Sequence, residues 1–154
     1  MKKFLLIVSL AFTAMTFAQD AKINWLTLDQ ALEMQQKNPK PIFMDIYTEW
    51  CGPCKMLDKN TFSDPAVIAE INSKYYAVKF NGEGNEVVHY KGETFSNPGY
   101  DPNKKTSRNS MHEFTKKMEV KGYPSMYILD ENGNEQKLIL GYYKPEELLN
   151  ELKS

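Results

Sequence analysis

The chain has 154 residues, enough for one domain with room for an elaboration. Nineteen Lys and Arg stand against twenty Asp and Glu, a formal charge of -1, without the strong basic excess that a nucleic-acid binder needs. Two cysteines exclude a disulfide-stapled miniprotein and a four-cysteine zinc site, and a single long apolar run excludes a multi-pass membrane protein.

That run opens the chain. Lys2 and Lys3 precede an apolar stretch from Phe4 to Phe12 broken by Ser9, and Thr16-Phe17-Ala18 then supplies small residues at the first and third places. This pattern predicts a signal peptide, residues 1–18, cleaved after Ala18, and a mature domain over residues 19–154. An uncleaved anchor is the alternative, but the apolar stretch falls short of the roughly 20 residues that span a bilayer. Export puts the two cysteines in an oxidising compartment, the periplasm, or outside the cell where there is no outer membrane.

Lys22 to Leu26 is expected as a short first strand. Thr27 or Asp29 caps a helix over Leu28 to Lys37, which Asn38-Pro39 and Pro41 stop. Ile42 to Tyr47 has the composition of a buried strand, interrupted by one acid, Asp45. Trp50 to Asn60 is a helix, and Asp64-Pro65 opens another, with Val67, Ile68 and Ile71 on one side. Tyr75 to Phe80 is the next strand. Residues 81–107 are punctuated by glycine and proline and form either a partly structured insertion or a functional loop. Within them, Val87 to Tyr90 and Glu93 to Phe95 flank Lys91-Gly92 as a small hairpin, unless the first part is a short helix. A helix is expected over Ser110 to Val120, with Met111, Phe114 and Met118 on one face and His112 at its surface. Arg108 and Lys104-Lys105 read as a solvated face. Ser125 to Leu129 and Gln136 to Leu140 form a hairpin around Glu131-Asn132-Gly133, Gly141 breaks the second strand, and Pro145 to Leu152 closes the chain as a helix. Alternating strands and helices followed by a hairpin predict an α/β fold, a central mixed β-sheet flanked by helices.

The two cysteines stand in Trp50-Cys51-Gly52-Pro53-Cys54-Lys55, directly after a buried-type strand and at the start of a helix. Unpaired N–H groups and the helix dipole at that position favour the Cys51 thiolate. Cys54 can then attack a mixed disulfide held on Cys51. Pro53 lacks an N–H where none is needed, Gly52 precedes it, and Trp50 gives the sulfurs an aromatic shoulder. The rival readings are half of a zinc site, for which His89 and His112 have no ligand spacing, and a structural disulfide closing too small a loop to add much stability. Asp45 is expected to point into or beside the core behind the dithiol, with a raised pKa and a part in moving the Cys54 proton. An edge-strand acid facing solvent is the alternative. Lys79, on the next strand, is its expected partner. Tyr123-Pro124 precedes an apolar strand and by itself says little.

The segment Asp45 to Lys55 resembles the active-site segment of the thioredoxin-like family almost residue for residue. The resemblance covers roughly residues 22–152 and implies the thioredoxin fold. It implies that Cys51 is the nucleophile and Cys54 the resolving cysteine. It matches the family's buried acid to Asp45, its strand lysine to Lys79, and its cis-proline loop to Tyr123-Pro124, beside the dithiol. Gly141 matches a glycine found before the last helix. Two departures stand out: an insertion at about residues 81–121, similar to exported Bacteroidetes members of the family, and bulky Tyr123 where a small or β-branched residue is usual. The implied function is a thiol-disulfide oxidoreductase that reduces protein disulfides, with the thiols as redox centre and no cofactor or metal. Its implied partners are exported cysteine-containing proteins and a membrane or soluble thiol reductant, and its implied state is a monomer. A disulfide isomerase, an oxidant, and a thioredoxin-fold chaperone or binding module are the alternatives.

Overall fold

The computed structural model describes residues 22–154, so the expected signal peptide lies outside the described residues. Five strands form one sheet in the order β1-β3-β2-β6-β7. These are β1 (Trp25–Leu26), β2 (Ile42–Tyr47), β3 (Tyr76–Asn81), β6 (Ser125–Leu129) and β7 (Glu135–Leu140). β1, β3 and β2 run parallel, and β6 and β7 add antiparallel, so the sheet is mixed. The helices are α1 (Leu28–Lys37), α2 (Gly52–Asn60), α3 (Pro65–Lys74), α4 (Glu113–Lys117) and α5 (Pro145–Lys153). Strands β4 (Val88–Tyr90) and β5 (Glu93–Phe95) pair separately.

Alternation along the strands gives the sheet two apolar faces. Met44, Ile46, Val78, Phe80 and Tyr127 pack with Leu28 and Ala31 of α1 and Phe114 of α4. Phe43, Ala77, Met126 and Ile128 pack with Leu57 of α2, Val67, Ile68 and Ile71 of α3, and Leu148 and Leu152 of α5. Asp45 is two residues beyond Phe43 and therefore shares the α2 face.

Local chemistry explains the element boundaries. Thr27, not Asp29, caps α1, in a reciprocal box with Gln30. Asp64 caps α3 by accepting the Ala66 and Val67 N–H groups. β1 is shorter than expected, only Trp25–Leu26, because pairing with β3 reaches only Ala77 and Val78. α2 begins at Gly52, since Cys51 keeps an extended backbone as its cap.

The insertion is folded into the core. Lys91 (φ 51°) and Gly92 (φ 78°) both have positive φ, the conformation of a tight hairpin turn, which decides for the hairpin over a short helix. Val88, Tyr90 and Phe95 are buried against Phe114. The expected helix over 110–120 shrinks to Glu113–Lys117. Two interactions stop it. Asn97 Nδ2 donates to the Ser110 carbonyl at 2.8 Å, and the His112 ring accepts the Phe114 N–H at 3.0 Å as an N-cap. Met111 is consequently exposed. His112, expected at a helix surface, is fully buried edge-on to Phe80, with Nε2 at 2.6 Å from the Glu86 carbonyl. A ring that donates from Nε2 and accepts at Nδ1 is neutral, and burial lowers its pKa.

Candidate active site

The chain leaves β2 at Tyr47 and turns into α2. The Cys51 N–H donates to the Thr48 carbonyl at 3.2 Å, which closes that turn. Cys51 then caps α2, and its Sγ accepts the Cys54 N–H at 3.1 Å. The two cysteines form a disulfide, with Cα atoms 5.3 Å apart. Pro53 occupies the first turn, where no N–H is required. Both cysteines are nearly enclosed, at 2% and 1% exposure. Only Cys51 lines the cleft described below, and Cys54 lies behind it.

Asp45 is fully buried in the middle of β2, which removes the solvent-facing alternative. Lys79 stands opposite it in the β2–β3 register, and its Nζ donates to Asp45 Oδ2 at 2.7 Å. The other carboxylate oxygen, Oδ1, is buried without a partner. Burial pushes the Asp45 pKa up from 3.8 to about 6, although the Lys79 ammonium pulls it down. Lys79 also bonds Asp58 of α2, so one cation ties β2 and β3 to the helix carrying the cysteines. Its ammonium lies 5.0 to 5.1 Å from the ring centroids of Trp25, Tyr47 and Phe62. The sequence reading missed Asp58, although its place four residues after Cys54, one helical turn on, was a usable signal.

A cleft of ≈ 490 Å³ opens onto Cys51, with walls from Trp50, Pro53, Tyr123 and residues of the insertion. The Trp50 ring meets Tyr123 edge-on at 5.9 Å between centroids. Its Nε1–H donates to Glu83 at 2.8 Å, and the same carboxylate oxygen accepts the Asn109 N–H at 2.7 Å. The Arg108 guanidinium stacks on the other part of this assembly, 4.3 Å from the Trp50 ring centroid. Arg108 is therefore an exposed wall of the cleft, a more specific place than the solvated face expected of it. Lys104 and Lys105 line a separate depression beside Glu49.

Tyr123-Pro124 is a cis peptide, and Tyr123 lines the same cleft. Gly82 makes room for the tyrosine, because a Cβ there would sit 2.8 Å from Tyr123 Cε1. Burial raises the Tyr123 pKa to about 12, so its phenol stays protonated. The structure thus brings together Cys51, Gly52, Pro53, Trp50 and Tyr123 around one opening. Asp45 and Lys79 stand on the strands behind. Glu83, Arg108, Met111, Val120, Lys121 and Gly122 complete the cleft and were not legible as site residues. The other histidine, His89, is held by Asp29 of α1 at 2.6 Å.

Comparison with known proteins agrees with this geometry. The family model described as a thioredoxin-like domain matches residues 28–154. The thiol:disulfide interchange protein DsbD of Campylobacter jejuni is 30% identical over 126 residues, which is 81% of this chain and 18% of that protein. The chain thus spans under a fifth of such curated relatives. A candidate disulphide-isomerase from Bacteroides thetaiotaomicron superposes with a TM-score of 0.60 at 27% identity, over 88% of this chain and 94% of its own. A thioredoxin from Thermus thermophilus superposes with a TM-score of 0.62 at 17% identity, covering 86% and 85%, and bears on the fold alone. The fold, the Cys51–Cys54 pair at its place in that fold, and the match over residues 28–154 lead to one conclusion: the chain belongs to the thioredoxin-like domain family.

Proposed function

We propose that this protein is an exported thiol-disulfide oxidoreductase that reduces protein disulfides through Cys51 and Cys54. One observation carries the proposal: the cleft opens onto Cys51 of a helix-capping disulfide, with a buried, ionisable Asp45 on the strand behind it.

In the reduced state the Cys51 thiolate attacks one sulfur of a client disulfide. A Cys51–client bond forms, the client S–S bond breaks, and the other client sulfur leaves as a thiolate. Cys54 loses its proton toward Asp45, through water, and attacks Cys51 Sγ. The Cys51–Cys54 bond forms and the second client thiolate leaves. Two electrons pass from the dithiol to the client. The disulfide in the structure is the product state, and a dithiol reductant, membrane-bound or soluble, returns it. Asp45 acts as acceptor because its pKa lies near 6 rather than 4. Tyr123, in the cleft wall directly before the cis Pro124, offers main-chain groups to an extended client. Lys79 holds Asp45, and Trp50 shapes the approach to Cys51. The clients are exported proteins with cysteines, and the periplasm is the proposed site, after removal of residues 1–18.

Insulin reduction by the mature domain tests the activity. Cys51→Ser should abolish it. Cys54→Ser should leave a trapped Cys51–client disulfide visible on a non-reducing gel. Unchanged turnover in Cys51→Ser would remove the proposal and favour a chaperone or binding module. The Gly52-Pro53 pair supports the reductive direction. A reduction potential near −270 mV fits it, and one near −120 mV would make the protein an oxidant. The likeness to the Bacteroides protein supports isomerisation as the second reading. Recovery of activity from a scrambled multi-disulfide client, faster than simple reduction and reoxidation allow, would decide for it.

A further inference from the structure

The cleft has a charge pattern that the redox chemistry does not use. It is lined by two cations, Arg108 and Lys121, and by one carboxylate, Glu83. Glu83 is committed within the protein, accepting from both Trp50 Nε1–H and the Asn109 N–H. Among the described residues, neither Arg108 nor Lys121 forms an ion pair. Arg108 is held in place all the same, by its stack on Trp50. The contact anchors the guanidinium over the indole, and among the described residues no hydrogen bond occupies its N–H groups, which suit a bidentate carboxylate. The next residue in the chain, Asn109, is fixed in turn by its side-chain oxygen, which accepts the Asp101 and Ser110 N–H groups at 2.9 Å. Arg108 therefore stands on an ordered support beside the sulfur that a client must reach.

We propose that Arg108, with Lys121 of the same cleft lining, forms a carboxylate subsite that selects client disulfides flanked by Asp or Glu. The proposal rests on Cys51 being the attacking cysteine. An acidic residue next to the client cysteine would place its side chain against the Arg108 edge while the client sulfur approaches Cys51. Neither cation takes part in bond making, so their effect falls on client choice. Met111, Val120 and Tyr123 add apolar lining to the same cleft, against which the rest of the client segment can lie.

The test uses three cyclic disulfide peptides of equal length, with Asp-Glu, Asn-Gln or Lys-Lys flanking the cysteines. The mature domain reduces each with dithiothreitol as electron source, and the direct reaction is subtracted. The Asp-Glu peptide should show a kcat/KM roughly 3- to 10-fold above the Asn-Gln peptide at low salt, with the Lys-Lys peptide lowest. The difference should lie mainly in KM and shrink at 0.5 M salt, as roughly 4 Å screening requires. Arg108→Ala should bring the ratio below about twofold, Arg108→Lys should keep part of it, and Arg108→Glu should invert it toward the Lys-Lys peptide. Both cations are exposed, so these variants should fold, and thermal unfolding checks it. Equal kcat/KM for the acidic and neutral peptides would overturn the subsite. So would an acidic preference that survives Arg108→Ala and Lys121→Ala together. Failure to reduce any of the three peptides would overturn the proposed reductase activity itself, a different result from reduction without preference.

Discussion

At the scale of single residues, Asp45 is the group whose chemistry depends most on its surroundings. A carboxyl at about pKa 6 in the fold and 3.8 unfolded binds its proton more tightly in the native state. Between those values the native protein holds a proton that the unfolded chain has released, so stability falls as pH rises from about 4 to 6. Above pH 6 the ionised, buried carboxylate costs the fold up to about 3 kcal/mol, two pKa units at 1.36 kcal/mol each. Asp45→Asn should therefore be more stable than the parent at pH 8 by about 1–3 kcal/mol, with the gap closing by pH 3.5. Lost pairing to Lys79 places the value within that range, since Lys79 keeps Asp58. Urea denaturation at the two pH values measures this, and a gap that widens toward acid would contradict the assignment. The same variant should slow release of the mixed disulfide roughly tenfold or more, if Asp45 takes the Cys54 proton.

At the scale of elements, the turn after β3 and the loop before β6 are fitted to each other. Gly82 has no Cβ because the Tyr123 ring and Ile46 Cγ2 occupy the space, at 2.8 and 3.2 Å. Gly82→Ala should destabilise the oxidised domain by about 1–3 kcal/mol and shift Trp50 fluorescence, because the displaced Tyr123 ring packs on the indole. Adding Tyr123→Val should recover most of that loss. A double-mutant cycle with no coupling would show that the two do not compete for space. The insertion has a comparable internal division. Its root is core, with Phe114 against the rings of Phe80, Tyr90 and Phe95 at 5.3 to 5.7 Å. Its tip, residues 102–107, is exposed. Phe114→Ala should cost about 3–5 kcal/mol. A shorter link in place of 102–107 should change stability by under about 1 kcal/mol, since closure entropy varies slowly with loop length. Equilibrium urea unfolding of both variants separates root from tip.

At the scale of the whole molecule, one sheet divides the labour. Its α2 face carries Asp45 and the cysteine-bearing helix, and its other face is closed by α1, α4 and the hairpin of the insertion. The insertion reaches from that second face, round the end of β3, to the rim of the cleft. There Glu83 and Arg108 hold Trp50 between them. Among the described residues no helix is long and apolar enough to cross a membrane. The proposed export is checked by expressing the full chain in its host and sequencing the N-terminus of the accumulated protein. Gln19 as first residue is the expected result, and retention of Met1 or of Lys2 would contradict cleavage.

What the sequence determined by itself was local. Strand and helix order follow from short-range patterns: the apolar run of Ile42 to Tyr47, the Asp64-Pro65 start of α3, the Asn-Gly turn before β7. The cysteine motif was legible because both sulfurs and the helix start lie within four residues. Lys79 as partner of Asp45 was legible because adjacent parallel strands put such residues in register. Tertiary structure alone decided the rest. His112 became a buried cap because the Glu86 carbonyl, 26 residues away in the chain, meets its ring. Arg108 became a wall of the cleft because Trp50 lies beneath it, and Glu83 its counterpart because Asn109 and Trp50 converge on one oxygen. These placements depend on contacts between segments with no fixed sequence separation. No periodicity or spacing encodes such contacts; the fold creates them when the insertion closes over the end of the sheet.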